Sequence, residues 1–544
     1  MLEWLKKNDD GHSELSMRTP ASAARLLAGL RSGDPVAVLA ELTAWIEKGI
    51  PTDDEKARSE VLSLIHETKN AHAAAVLARL FGRPAGGKAK SVTGWDTLVN
   101  YLMALARALY GSARSPLKQP DTSQKLRLVA AADAALCLHA GRMLAKACLM
   151  RYLSVPPKLW RLAYRVHDKA RKAGCAATPV RLHATDQSTT SATQELLKLL
   201  LLQSSAPEMM DPRQIELADR AIEQLGQDFR LGPRGTDNPF CFDSSSELPP
   251  RRWSDQQPDA ENAMQYFGAG AAFEALERLH KQLAAAKEAT QHFGIDIDPH
   301  TQLSAIRHLL SFWAPLCAYA PPPRSPATGE LRIIHGYAPL WQQLSSARRS
   351  GRTELRLVED DEVAASAPQT WMLRDIGGDE VGADIVQLGG EWPRCGDVVA
   401  VSMNGNDAYW PGVIRFMHAR RDGRLHARIA ILSKDPVAVE LRALFSKEEE
   451  NAYSQRAARE FAFDRACAIL LSEGSAASQK PTLLLSAGGW KEGRLYEAIV
   501  NGATRYLRCI QLLRRGDDYV RATFEWTRIA EEKVAAPSAT FAAG

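Results

Sequence analysis

The chain has 544 residues, of which 45% are apolar and 24% are charged, a composition typical of ordinary folded domains. Its 68 basic and 64 acidic residues nearly cancel, leaving a net charge of +4, which argues against a protein that binds DNA or RNA through its overall charge. At about 150 residues per domain, the length predicts roughly three or four domains.

The sequence lacks the usual signals for export and membrane insertion. Its longest strongly apolar run, residues 196–202, is interrupted by Lys198 and falls far short of the roughly 20 residues needed to span a bilayer. The N-terminus lacks the apolar core of a signal peptide. The eight cysteines are scattered without a CxxC pair, as is typical of buried thiols in a reducing compartment. We therefore expect a cytoplasmic protein without a membrane span.

Residues 1–228 have the periodicity of a helical domain. Several helix starts carry a capping residue or a proline at the first helical position, namely Ser123, Pro157, Ser191 and Asp211. No repeat of about 34 residues is visible, so an irregular helical bundle or repeat is favoured over a regular tetratricopeptide array. Residues 229–262 are polar and proline-bearing and are predicted to form a long loop, after which helices resume and continue to residue 320.

A proline-rich linker at 321–326 separates this region from a part of the chain with strand composition. Residues 331–445 are predicted to form an antiparallel β-barrel, with Asp422-Gly423 as a hairpin turn. Residues 446–534 should contain a helix at about 447–473 and then a second β-rich, barrel-like unit with a hairpin at Asn501-Gly502. The Ala- and Ser-rich tail at 535–544 is predicted to be disordered.

The predicted fold class is therefore α+β and multidomain. It combines an α-helical N-terminal half with two small antiparallel β-barrel-like units in the C-terminal half.

Two short segments contain the candidate ligand-binding residues. The first offers three guanidinium groups, which bind phosphate bidentately and stack on bases: Arg348, Arg349 and Arg352. The second begins with a carboxylate that could accept hydrogen bonds from a guanine edge, followed by glycines that allow close approach of a ligand: Asp375, Gly377 and Gly378.

The order of these segments resembles the PilZ domain, a small β-barrel that binds cyclic di-GMP through RxxxR followed by [D/N]xSxxG. Arg348 and Arg352 fit the first motif and Asp375 begins the second, in which Gly377 replaces the serine and Glu380 the final glycine. Some divergent PilZ-like proteins also carry a long helical N-terminal region, which residues 157–160 and 199–207 resemble. The resemblance implies cyclic di-GMP binding by the arginines, Asp375 and the backbone at 377–378.

Other candidate sites are weaker. Asp296, Asp298 and His300 alternate as metal ligands sometimes do, but Asp298-Pro299 is better explained as a helix cap. No GxSxG elbow, P-loop or CxxC motif is present, so we expect no enzymatic activity, metal or cofactor, apart from cyclic di-GMP as a ligand.

Two functions remain open. The first is a receptor or effector whose helical half engages a protein partner. The alternative is a scaffold or adaptor whose degenerate barrel binds no nucleotide. Neither involves a nucleic acid polymer.

Overall fold

The structure is a computed structural model that describes residues 17–528, except for 31, 82–93, 119–122, 184–185, 255–262, 286–291, 295–296, 318–321, 350–366, 387–392, 404, 407, 421, 445–464, 472–480 and 501–502. The chain divides into two compact units, Met1–Pro321 and Pro322–Gly544. The predicted disordered tail, 535–544, lies outside the described residues.

The first unit is mainly helical. Its helices α1 to α10 are Pro20–Leu30, Pro35–Lys48, Glu55–Phe81, Trp95–Lys118, Gln124–Leu149, Pro157–Lys172, Ala192–Ser204, Pro212–Leu225, Ala271–Ala285 and Pro299–Trp313. The predicted caps are confirmed: Ser123, Ser191, Asp211 and Asp298 each accept a hydrogen bond from a backbone N–H of the first helical turn.

Helix α5, Gln124–Leu149, lies at the centre of this unit. It packs against α4 and α7, and nearly all of its side chains from Ala130 onward are buried. By length and composition alone it could cross a membrane, although 72% of its most apolar window is buried inside the unit. The core helix of a soluble protein passes the same test, so the helix is weak support for a membrane span. The sequence analysis did not identify this helix as a possible membrane span because its apolar residues are interspersed with charged ones.

A small antiparallel sheet corrects the predicted loop at 229–262. Its strands are β1 (Arg230–Gly232), β2 (Phe240–Asp243), β3 (Arg251–Arg252) and β4 (Met264–Gly268), in the order β1-β4-β2-β3. Helices therefore do not resume at 262. The strands are very short, and the sheet is stabilised by aromatic packing that sequence alone does not reveal, including the stacked rings of Phe240 and Phe267.

The first barrel closes in the order β10-β7-β6-β5-β8-β9. Its strands are β5 (Ser325–His335), β6 (Gln369–Gly377), β7 (Glu380–Ile385), β8 (Val398–Met403), β9 (Trp410–Ala419) and β10 (Leu425–Ile431), and helix α11 (Tyr337–Arg349) follows β5. The predicted hairpin at Asp422-Gly423 is confirmed, since β9 pairs with β10 and Gly423 has φ +81°.

The second barrel closes in the order β11-β12-β13-β16-β15-β14. Its strands are β11 (Val437–Leu444), β12 (Arg465–Leu471), β13 (Thr482–Ser486), β14 (Leu495–Val500), β15 (Ala503–Arg515) and β16 (Tyr519–Thr527). Two boundaries differ from the prediction. Residues 437–444 were assigned to the first barrel but pair in the second, and residues 465–471 form a strand where the helix at 447–473 was expected to continue. The rest of that helix, to residue 464, lies outside the described residues.

The two barrels share a hydrophobic core, which includes Val398 and Val413 from the first and Leu484 and Tyr519 from the second. Hydrogen bonds reinforce it: the Tyr519 hydroxyl donates to the Gly396 carbonyl over 3.0 Å, and the Tyr337 N–H donates to Asp518 Oδ2 over 2.7 Å. The barrels therefore form one compact unit.

Candidate ligand-binding site

Asp375 lies on β6 and forms an ion pair with Arg324, a residue that the sequence analysis did not select. Arg324, directly before β5, donates from Nε to Asp375 Oδ1 and from Nη1 to Glu380 Oε2 over 2.9 Å. Arg324 is only 13% exposed, so it holds both carboxylates in a partly desolvated position. Its place within the proline linker, directly before the first strand, was the signal that could have identified it.

Gly377 and Gly378 have clear structural roles in the hairpin between β6 and β7. A Cβ on Gly377 would lie 2.8 Å from the Pro323 carbonyl oxygen, so only glycine lets the linker pack there. Gly378 has φ +59° in the two-residue turn that joins Gly377 to its partner Glu380. Both residues are explained by the fold alone, and their contact with a ligand remains a prediction.

The arginine segment is only partly placed. Arg348 and Arg349 are the last residues of helix α11, and nothing is described of their side chains. Arg352 lies outside the described residues. Convergence of these three arginines with Asp375 therefore stays a prediction.

A second charged group on the same barrel centres on Asp384, a buried carboxylate on β7. Arg374 Nε, Arg420 Nη1 and His426 Nδ1 donate to its oxygens over 2.7, 2.8 and 2.9 Å. Burial alone would raise the pKa of Asp384, but the hydrogen bonds from His426, Arg374 and Arg420 outweigh it and lower the pKa. The group borders an open pocket of about 530 Å³, which is also lined by His418 and Asp422.

These two groups form a connected charged surface, because His426 Nε2 lies 3.9 Å from Asp375 Oδ2. The guanidiniums of Arg324, Arg374 and Arg420 face three carboxylates, those of Asp375, Glu380 and Asp384. The surface is charge-balanced, so an anionic ligand would have to displace one of these carboxylates from its arginine.

The helical unit contains a buried ion-pair network that the sequence analysis missed. Three cations, Arg142, Lys146 and Lys198, bind four carboxylates, those of Glu195, Glu216, Asp219 and Glu223. His139, Glu195 and Glu223 also lie close enough together to hold a metal ion. However, Lys198 Nζ already lies 2.7 Å from an oxygen of each glutamate, so a metal cation would meet a like charge. The residues fit a neutralised ion network better than a metal centre.

Comparison with known protein families gives a match in the N-terminal part of the chain. The family model described as "Cyclic-di-GMP receptor FimW, N-terminal domain" matches residues 21–234. That segment contains helices α1 to α8 and the buried ion-pair network. No curated protein and no solved structure matches the chain. The region 21–234 is therefore similar to the N-terminal domain of a cyclic-di-GMP receptor.

Proposed function

We propose that this protein is a cytoplasmic, non-enzymatic receptor that binds cyclic di-GMP on its first barrel and signals to a protein partner through its helical unit. The observation that carries the proposal is the family match over residues 21–234. The barrel is the proposed binding site because its β6–β7 hairpin carries Asp375 and its helix α11 ends at the arginine segment.

In this proposal, Arg348, Arg349 and Arg352 hold the two phosphates and Asp375 accepts hydrogen bonds from a guanine edge. Arg324 pairs with both Asp375 and Glu380. A phosphate arriving beside Glu380 would be repelled, so binding is expected to draw Arg324 from Glu380 to the phosphate. Arg324 thus becomes a fourth candidate phosphate contact.

Calorimetric titration of the full chain with cyclic di-GMP tests the proposal. One arginine–phosphate contact is typically worth about 1.5–3 kcal/mol, so Arg352→Ala should weaken binding by roughly 10- to 150-fold. Arg424→Ala is the matched control, since Arg424 is a half-exposed arginine of the same barrel that pairs only loosely with Asp422. Its affinity should equal that of the wild type.

The alternative function is a scaffold whose first barrel binds no nucleotide. Two observations favour it. Arg324 already forms ion pairs with Asp375 and Glu380, and the packing and turn geometry of the barrel account for Gly377 and Gly378 without a ligand. Absence of any heat change when the wild type meets cyclic di-GMP at high micromolar concentration would reject the receptor proposal and leave this alternative.

A further inference from the structure

Three arginines meet where the two barrels join. Arg415 lies on β9 of the first barrel, at a β-bulge between Ile414 and Phe416. Arg514 and Arg521 belong to the second barrel and are direct partners across β15 and β16. Arg521 stands two residues after Tyr519, a member of the shared core, and so projects from the same face of β16.

Contacts around Gly396 bring the arginines of the two barrels together. The Gly396 N–H donates to the carbonyl of Ile414, the neighbour of Arg415, and Arg514 Nη2 lies 3.1 Å from the position that a Cβ on Gly396 would take. Burial lowers the pKa of Arg415, and the positive charges of Arg514 and Arg521 lower it further, to about 10. Burial and Arg514 likewise lower the pKa of Arg521. An arginine normally stays protonated far above this range, so the cluster is a locally unfavourable concentration of positive charge.

None of these three arginines forms an ion pair with an acid in the part of the chain that the structure describes. Arg521 Nε is buried without a hydrogen-bond partner there, and its Nη2 has only Thr482 Oγ1, at 3.4 Å. The buried cations of the helical unit differ, since each one binds at least one carboxylate within 3 Å. An unpaired cluster of half-buried cations is costly unless an anion joins it.

The nearby carboxylates already bind other groups. Glu380 raises the pKa of Arg415 but forms its ion pair with Arg324. Asp397 Oδ2 accepts the Arg394 N–H over 2.9 Å, and Asp518 Oδ2 accepts the Tyr337 N–H over 2.7 Å. Neutralisation of the cluster therefore calls for an anion from outside the described chain.

We propose that Arg415, Arg514 and Arg521 form a binding site for a phosphate-bearing small molecule at the junction of the two barrels. Guanidiniums match phosphate oxygens in pairs, and a phosphate group with two or more charges can bridge several of them. Because the arginines come from both barrels, the bound anion would join the barrels and stabilise the unit. The site uses none of the residues proposed above to bind cyclic di-GMP, and it does not depend on that function.

Pyrophosphate, titrated into the full-length protein at constant ionic strength, is the direct probe. We expect it to raise the Tm of the wild type, and its affinity to fall at least about tenfold in Arg514→Ala and in Arg521→Ala. Arg515→Ala is the matched control, because Arg515 is the next residue of the same strand and is exposed. It should keep the wild-type affinity.

Arg415→Met separates a binding role from a structural one. Removing a charge from a repelling cluster should leave the Tm without anion unchanged or higher, while the pyrophosphate-induced rise is lost. The proposal is overturned if pyrophosphate does not stabilise the wild type, or if Arg515→Ala weakens binding as much as Arg514→Ala does.

The same titration with cyclic di-GMP in place of pyrophosphate shows which kind of phosphate-bearing molecule the site binds. If Arg514→Ala abolishes binding of both, the site takes the dinucleotide. If it abolishes only pyrophosphate binding, the site takes another phosphorylated molecule. Either result supports the site, whereas the receptor proposal is tested independently by Arg352→Ala.

Discussion

The buried charges of the ion-pair network in the helical unit are paired, and each partner contributes more to stability than a surface charge would. Lys198 is 3% exposed and donates to Glu195, a completely buried glutamate, and to Glu223. Burial acts to raise the pKa of Glu195, but Lys198, His139 and Arg142 outweigh it and hold this pKa well below the usual range. Removal of one cation would leave a buried carboxylate without its counter-charge.

Lys198→Met should therefore lower the free energy of unfolding by about 3–5 kcal/mol, the typical cost of breaking a buried pair. Urea denaturation measures it. Lys172→Met serves as the control, because Lys172 is 70% exposed and its pair with Asp168 is worth little. A loss below about 1 kcal/mol in Lys198→Met would contradict the proposed importance of the network.

His167, on α6, makes stability depend on pH. It is 2% exposed, and its Nε2 lies 3.2 Å from Thr193 Oγ1. Burial first, and the charge of Arg171 second, lower the pKa of His167 from 6.5 to about 4. Below pH 6.5 the unfolded state binds a proton that the folded state does not, so this histidine removes stability as pH falls from 6.5 to 4. The loss is roughly 3 kcal/mol at about 1.4 kcal/mol per pH unit.

Asp133, on α5, has the opposite effect to His167 on how stability changes with pH. Burial is the main cause that raises the pKa of its carboxyl to about 6. Here the folded state binds the proton first, so the contribution of Asp133 to stability grows as pH falls from 6 towards 4. Between pH 7 and pH 4.5, His167→Gln should lose less stability than the wild type, and Asp133→Asn should lose more. Denaturation curves at both pH values measure the differences, and equal losses in all three proteins would contradict the two assignments.

At the scale of elements, hairpin turns in the first barrel depend on glycines with positive φ. Gly378 adopts φ +59° between β6 and β7, a region that side chains with a Cβ disfavour by about 1–2 kcal/mol. Gly378→Ala should lower the free energy of unfolding by about that amount, as measured by chemical denaturation. Binding residues on both sides of the turn would move with it, so affinity for cyclic di-GMP should fall as well.

Gly488 offers a matched comparison in the second barrel. It has an ordinary φ, and a Cβ there would meet no atom within 4 Å. Gly488→Ala should be neutral or stabilise the protein by about 0.4–1 kcal/mol, because alanine reduces the freedom of the unfolded chain. Equal effects of the two substitutions would show that the turn conformation is not what constrains Gly378.

At the scale of the whole molecule, two compact units divide the chain, and the barrels share a core inside the second unit. We expect scanning calorimetry to show separate transitions for the helical unit and for the joined barrels. Tyr519→Ala removes a completely buried side chain from the shared core and should lower only the barrel transition. Tyr101→Ala, at a completely buried position of α4, should lower only the helical one. A shift of both transitions by either variant would contradict independent unfolding.

The sequence by itself determined the features that depend on neighbours a few residues apart. Ser123, Ser191 and Asp211 cap helices because a side chain can reach the N–H groups of the next turn. The Asp422-Gly423 hairpin likewise follows from local backbone preference. The change from helical to strand periodicity at the proline linker predicted the fold class in the same way.

Only the tertiary structure decided which distant residues meet. Barrel closure assigned β11 to the second barrel, because strand pairing depends on partners far along the chain. The pairing of Arg324 with Asp375 and the meeting of Arg415 with Arg514 and Arg521 have the same origin. A charge's partner depends on the three-dimensional distance and on the water excluded around it, and neither can be read from spacing along the sequence.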